Sequence, residues 1–186
     1  MPARFVVAWV VTRVVFPVLS AEVLGHLLPV AFRFTDDPNA VNEWVGASCL
    51  AHLLHHSLPT DIRPHTPILS DVFQRVLSSN NATVQAVLLR CVAASAPAMF
   101  GPAPHDGYDT ALTAYIKKFV LQRSATMQHA FFVGATALVY RMGVHSARHL
   151  GALVELVEGG VVEGCHSFVA VEALHCLAAV CVACWP

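Results

Sequence analysis

A helix start that returns at nearly equal intervals constrains this chain more than any other feature. Its clearest instance is DDPNAVNEWVGASCLAHLLHHSL, residues 36–58. Asp36 and Asp37 are short acceptors able to bind the orphan amides of a helix start, and Pro38 suits a first turn, where no amide hydrogen is needed. At 3.6 residues per turn, Trp44, Ala47, Leu50, Ala51, Leu54 and Leu58 share one broad apolar arc, with Asn42, Ser48, His52, His55 and His56 opposite. An arc this wide exceeds what one short helix buries alone, so it requires neighbours of the same kind.

The rest of the chain supplies them. Residues 3–15 read as a helix ended by Pro17, and residues 18–34 as a second helix that Pro29 is expected to kink or split. Beyond the turn at Pro59, residues 64–78 form the next first helix, and Asn80-Asn81 cap the second, ATVQAVLLRCVAASA. A Pro- and Gly-rich linker from Pro97 leads to YDTALTAYIKKFVLQ, after which Ser124 or Thr126 caps a helix that Gly143 stops. The last pair is VHSARHLGALVELVEG and, beyond a Gly159-Gly160 turn and Gly164, the run from Cys165 to the end.

The second helices thus begin near residues 38, 81, 124 and 165, close to the ~40–47 residue period of HEAT and armadillo units. No strand signal competes. The expected fold is all-α, a HEAT- or armadillo-like α-solenoid of about four antiparallel helix pairs. Residues 1–17 read as an apolar N-terminal helix, a candidate truncated repeat, and residues 18–186 as the helical-repeat domain. Trp44, Leu54, Leu88, Phe132, Leu138, Leu174 and Leu177 are expected to face the interior.

Composition narrows the function. Hydrophobic residues make up 56% and charged residues 12%, a balance that suits helices buried on several sides or a piece of a larger assembly. Net charge is −1 and the longest basic run is Lys117-Lys118, which argues against nucleic-acid binding. A spanning or secretory segment is disfavoured because Arg13 interrupts residues 5–16, while Glu172 and His175 interrupt residues 167–185. The alternative kept open is a small membrane-associated helical protein. Six cysteines within helical patterns fit reduced thiols in the cytoplasm or nucleus.

No constellation demands catalysis or a cofactor. His52 and His56 have the i, i+4 spacing of a metal pair but no further ligand, so a solvated face is expected. Cys181 and Cys184 form a single CxxC on the face of Leu174 and Leu177, which reads as core packing. The Ser146 to His149 neighbourhood lacks an evident orienting acid, and there is neither a GxSxG elbow nor a P-loop. Asn81-Ala82-Thr83 matches a glycosylation sequon but reads better as a helix cap. Lys117, Lys118, Arg123, Arg141 and Arg148 concentrate positive charge in the second half. Lys117, Lys118 and Arg148 are the candidate contacts for an acidic partner.

Particular words in the sequence carry a resemblance. LLPVAFRFTDDPNAV, GASCLAHLL, TVQAVLLRC, YDTALTAYI and RMGVHSARHLGALVELVEGG, in that order, resemble the C-terminal helical-repeat region of the Tel-two-interacting protein two family. Its most specific words here are Thr35-Asp36-Asp37 and Arg148-His149-Leu150. The resemblance covers residues 18–186; members of the family extend further at the N-terminus, which implies that this chain corresponds to their later portion. It also implies a non-enzymatic adaptor of the Triple-T co-chaperone complex. Such an adaptor would work with the other Triple-T subunits, phosphatidylinositol-kinase-related kinases and the ninety-kilodalton heat-shock chaperone.

Overall fold

Residues 2–15, 17–77, 81–120, 124–162 and 166–185 are described by a computed structural model, and they form helices joined by short turns with no strand among them. Asn80, Arg123, Gly164, Cys165 and Pro186 lie outside them. The chain divides into two compact units, Met1–Cys91 and Val92–Pro186.

The first unit opens with α1 (Pro2–Val11), which ends before the Val14 and Val15 expected to belong to it. Ser20 then caps α2 (Ala21–Thr35), its hydroxyl accepting from the Val23 amide. α2 runs as one helix through Pro29, so the proline does not split it. Pro29 sits on the exposed side of the helix. Leu28 and Ala31, beside it, hold the helix to the core.

Asp36 belongs to the end of α2 rather than to the next start. The cap of α3 (Ala40–His56) is Asn39, whose side chain accepts from the Val41 amide at 3.0 Å, while Asp37 accepts from the Asn39 amide at 2.9 Å. The cap therefore sits two residues later than the sequence pattern suggested. α3 packs on α2 so closely that a Cβ built on Gly46 would lie 2.4 Å from the Thr35 nitrogen. Leu24, Leu28, Leu50, Leu53 and Leu54 are buried in this unit, each large aliphatic contributing about 1.5–3 kcal/mol. Trp44 is not among them. It is 44% exposed, because Val45, Cys49 and Leu53 turn the buried arc of α3 away from it.

α4 (Pro59–Ile62) and a 3-10 turn lead into α5 (Thr66–Leu77). Asn81 then caps α6 (Ala82–Phe100), as its sequence suggested, accepting from the Val84 amide at 3.4 Å. Asn81 Nδ2 also donates to Glu43 Oε2 at 3.2 Å, so the sequon asparagine ties its cap to α3. α6 continues through Pro97 to Phe100 instead of ending where a linker was expected, and the division between units falls inside it.

In the second unit, His105 caps α7 (Asp106–Phe119) by accepting from the Gly107 amide. The buried Tyr108 hydroxyl donates to the Gly101 carbonyl at 2.7 Å, pinning the connection. α8 (Ala125–Met142) runs antiparallel to α7: Phe119 meets Phe131, while Tyr115 lies against Gly134. Phe119, Phe131 and Phe132 cluster with centroids 4.5–5.2 Å apart, and such pairs contribute about 0.5–1.5 kcal/mol each beyond their area. Gly143, at φ 55°, ends α8 as the sequence suggested.

A 3-10 stretch (Gly143–His149) precedes α9 (Leu150–Val162), which passes helically through Gly159 and Gly160 where a turn was expected. Gly160 is instead a contact point. Its missing side chain leaves room for Phe132, 2.7 Å from where a Cβ would stand, and for Ala173 at 3.2 Å. Ala173 lies in α10 (Ser167–Cys184), which packs most extensively against α8 and then α9. Leu174 on α10 is 52% exposed rather than interior, and Leu177 is half-buried, since Val169, Ala173, Cys176 and Val180 form the buried side.

Within each unit, polar contacts recur at one sequence separation. In the first, His52 Nε2 meets the Val14 carbonyl (38 residues apart), Arg75 meets Asp36 (39) and Asn81 meets Glu43 (38). In the second, Asp109 takes Arg148 (39) and His149 (40), and Ser146 contacts Cys184 (38). Arg4 with Asp37, 33 apart, departs from this spacing. Along α8 and α10 the partners advance together, His129 with Phe168 and Thr136 with Cys176, so these two helices run parallel.

Candidate partner surface

Lys117 and Lys118 end α7, whose first turn carries Asp106 and Asp109, so charge at both ends complements the helix dipole. Arg148 is not free in the same sense. Its guanidinium donates to Asp109 Oδ2 at 2.9 Å and to the His145 carbonyl at 3.1 Å. At about 100° per residue, Lys117 lies about 80° and Lys118 about 180° round α7 from Asp109, where Arg148 is docked. The structure thus assigns Arg148 to an ion-pair joint within the unit and leaves Lys117 as the better exposed of the two lysines.

Asp109 is the acid that the Ser146 to His149 stretch lacked in sequence. Its Oδ1 lies 2.9 Å from His149 Nε2, and both side chains are largely buried. The Ser146 hydroxyl is turned to the Gly143 carbonyl, to which it donates at 2.8 Å. The signal available in sequence was the forty-residue offset itself.

The histidines of α3 form a cluster: His52 and His56 are 4.4 Å apart between centroids with tilted rings, and His55 meets His56 edge-on at 4.8 Å. Burial, followed by repulsion from His52 and His55, lowers the His56 pKa. Among the described residues no cluster of three His, Cys, Asp or Glu is arranged to hold a metal. Burial pushes the Cys49 thiol up to about 11 and Cys91 up to about 12, which keeps both protonated and poorly nucleophilic at neutral pH. Cys176 is raised for the same reason, with the Thr136 hydroxyl opposing the shift. Cys181 is exposed, not part of the core, and Cys184 is half-buried.

The more prominent surface is apolar. α1 exposes Phe5, Val6, Val10 and Trp9, the last 61% open with Arg13 stacked 5.3 Å above its ring. α10 exposes Phe168, Val171, Leu174 and Val182, and the adjoining Trp185 is 84% open. Large apolar residues aligned on one helix face, in contrast to isolated ones, mark contact surfaces. Sequence reading missed α10 because a helix apolar all round does not announce which side is buried. No family model, curated protein or solved structure matches the chain.

Proposed function

We propose that this chain is a non-enzymatic helical-repeat scaffold that binds other proteins, built as a HEAT-like α-solenoid. The observation that carries the reading is the recurrence of contacts 38–41 residues apart within each unit. Helices one repeat apart lie side by side in such arrays, and each repeat contacts only its neighbours. Exposed apolar helix faces add to this, since they suit a protein that works when covered by a partner.

The partners we propose follow from the resemblance: the other Triple-T subunits, phosphatidylinositol-kinase-related kinases and the ninety-kilodalton heat-shock chaperone, in the cytoplasm or nucleus. Affinity capture of soluble, folded protein followed by mass spectrometry tests this. Recovery of Triple-T subunits or kinases is the expected result; recovery of neither removes the family reading. Lys117→Glu with Lys118→Glu should weaken capture if α7 meets an acidic partner, and unchanged capture clears both lysines. Arg148 is unsuited to the same reversal, because a glutamate there would face Asp109.

One observation favours a membrane-associated reading instead. Among the described residues α6 and α10 are long and apolar enough to cross a membrane. α6 is mostly buried as a core helix would be, whereas α10 is mostly open. Flotation with vesicles and carbonate extraction separate the two readings: a scaffold is released by carbonate, a spanning protein is not.

A further inference from the structure

The described cysteines separate into two classes. Cys49, Cys91 and Cys176 are buried, whereas Cys181 is exposed and Cys184 half-buried, both on the last turn of α10. Three residues apart on a helix, they share one face. With a rise of about 1.5 Å per residue and a Cα radius of about 2.3 Å, their Cα atoms stand about 5 Å apart, inside the range of about 4.4–6.8 Å that a disulfide spans. On the same helix Cys176 stands about 9 Å from Cys181 and about 12 Å from Cys184. Both distances exceed that range, so Cys181 and Cys184 are the pair on α10 that can close.

Their surroundings give the two sulfurs different parts. The Ser146 hydroxyl has a single proton, committed to the Gly143 carbonyl at 2.8 Å. In its 3.6 Å contact with Cys184 the thiol is therefore the donor and the serine oxygen the acceptor. Cys184 Sγ is thus held against the 3-10 stretch, while Cys181 stands open to solvent. The Trp185 amide donates to the Cys181 carbonyl at 2.9 Å, which draws the last turn together. Cβ atoms three apart on a helix stand about 5–6 Å from each other and a disulfide needs about 3.5–4.5 Å, so closure moves them by about 1 Å. Cys184 is the last residue of α10, and Trp185 beyond it is extended and 84% open, so that end is unobstructed.

We propose that Cys181 and Cys184 form a reversible redox site that reacts with small-molecule disulfides of the glutathione class. The Cys181 thiolate attacks one sulfur of oxidised glutathione, which forms a mixed disulfide on Cys181 and releases one glutathione thiolate. Cys184 then gives its proton to solvent and attacks Cys181 Sγ. The Cys181–Cys184 bond forms as the second glutathione thiolate leaves. The two cysteines lose two electrons and the glutathione disulfide gains them. Closure consumes the Cys184 S–H, so the bond from α10 to Ser146 is lost with it. In a reducing compartment a disulfide of this kind is transient and senses the redox state.

The full chain, reduced and then freed of reductant, is incubated under native conditions with excess oxidised glutathione. Intact mass and differential alkylation of the remaining thiols are read together. The expected product has lost two hydrogens, carries no glutathione, is protected from alkylation at Cys181 and Cys184, and reverts with dithiothreitol. Cys184→Ser should stop at the mixed disulfide, its mass raised by one glutathionyl group. Cys181→Ser should react at least about tenfold more slowly, since the thiol left on that turn is half-buried. Cys184→Ala takes the place of the serine variant should circular dichroism show that one unfolded. A natural-sequence chain that stays reduced, stops at the mixed disulfide or links to a second chain overturns the proposal. So does an internal disulfide that still forms in Cys184→Ser, because the reactive pair would then lie elsewhere.

Discussion

Gly159 and Gly160 stand side by side in α9 and should respond to alanine in opposite directions. A Cβ on Gly159 meets nothing within 4 Å, so the substitution only removes backbone freedom from the unfolded chain. It should stabilise by about 0.4–1 kcal/mol. A Cβ on Gly160 would stand 2.7 Å from two ring atoms of Phe132 and 3.2 Å from the Ala173 methyl. Carbon atoms prefer about 3.5–4.0 Å, so something must move by about 1 Å. Phe132 has little room to move, being 0% exposed and wedged against Phe119 and Phe131. Overpacking costs about 1–3 kcal/mol, and the helical gain of about 1 kcal/mol offsets only part of it. The two variants should differ by about 2 kcal/mol, or about 4–8 °C in Tm for a chain of this size. Urea denaturation followed by circular dichroism measures the difference. If both residues formed a turn with left-handed backbone, both alanines would destabilise, and that result refutes the helical reading of this segment.

Leu54→Ala should cost about 2–5 kcal/mol, since Leu54 is buried, whereas Leu174→Ala should stay within about 0.5 kcal/mol in dilute protein; equal losses in urea denaturation would contradict the placement of α10. Asp37 is held below its ordinary value of 3.8, chiefly by the Asn39 amide and then by Asn42, with Arg4 adding to both. Its stabilisation is present above 3.8 and is lost as pH falls through the lower folded value, so Asp37→Asn should flatten the acid limb of a stability profile; an unchanged limb would clear Asp37. His56 is lowered from 6.5. The unfolded chain takes that proton first, stability falls as pH drops below 6.5, and His56→Gln should reduce the loss between neutral pH and about pH 5; an identical slope in the variant would reject the assignment.

The sequence by itself determined that this chain is helical and where its second helices begin. Asn81 and Gly143 act where they were read, because caps and stops depend on a few adjacent backbone groups, while Ser124 stands at the N-cap position of α8 without a side-chain cap bond. It also carried the offset of about forty residues at which Asp109 meets His149 and His52 meets the Val14 carbonyl. Leu54, Leu88, Phe132 and Leu138 are interior as expected; what the sequence left open was which side of the more uniformly apolar helices is buried. Trp44 and Leu174 lie on apolar arcs, yet both are exposed, because on a helix such as α10, apolar nearly all round, periodicity gives no preferred direction. Only the neighbours settle that, as α8 does by meeting Ala173 and Cys176. The same holds for the glycines. Gly159-Gly160 and a turn are indistinguishable locally, and it took the position of the Phe132 ring to make one of them a contact and the other a plain helical residue.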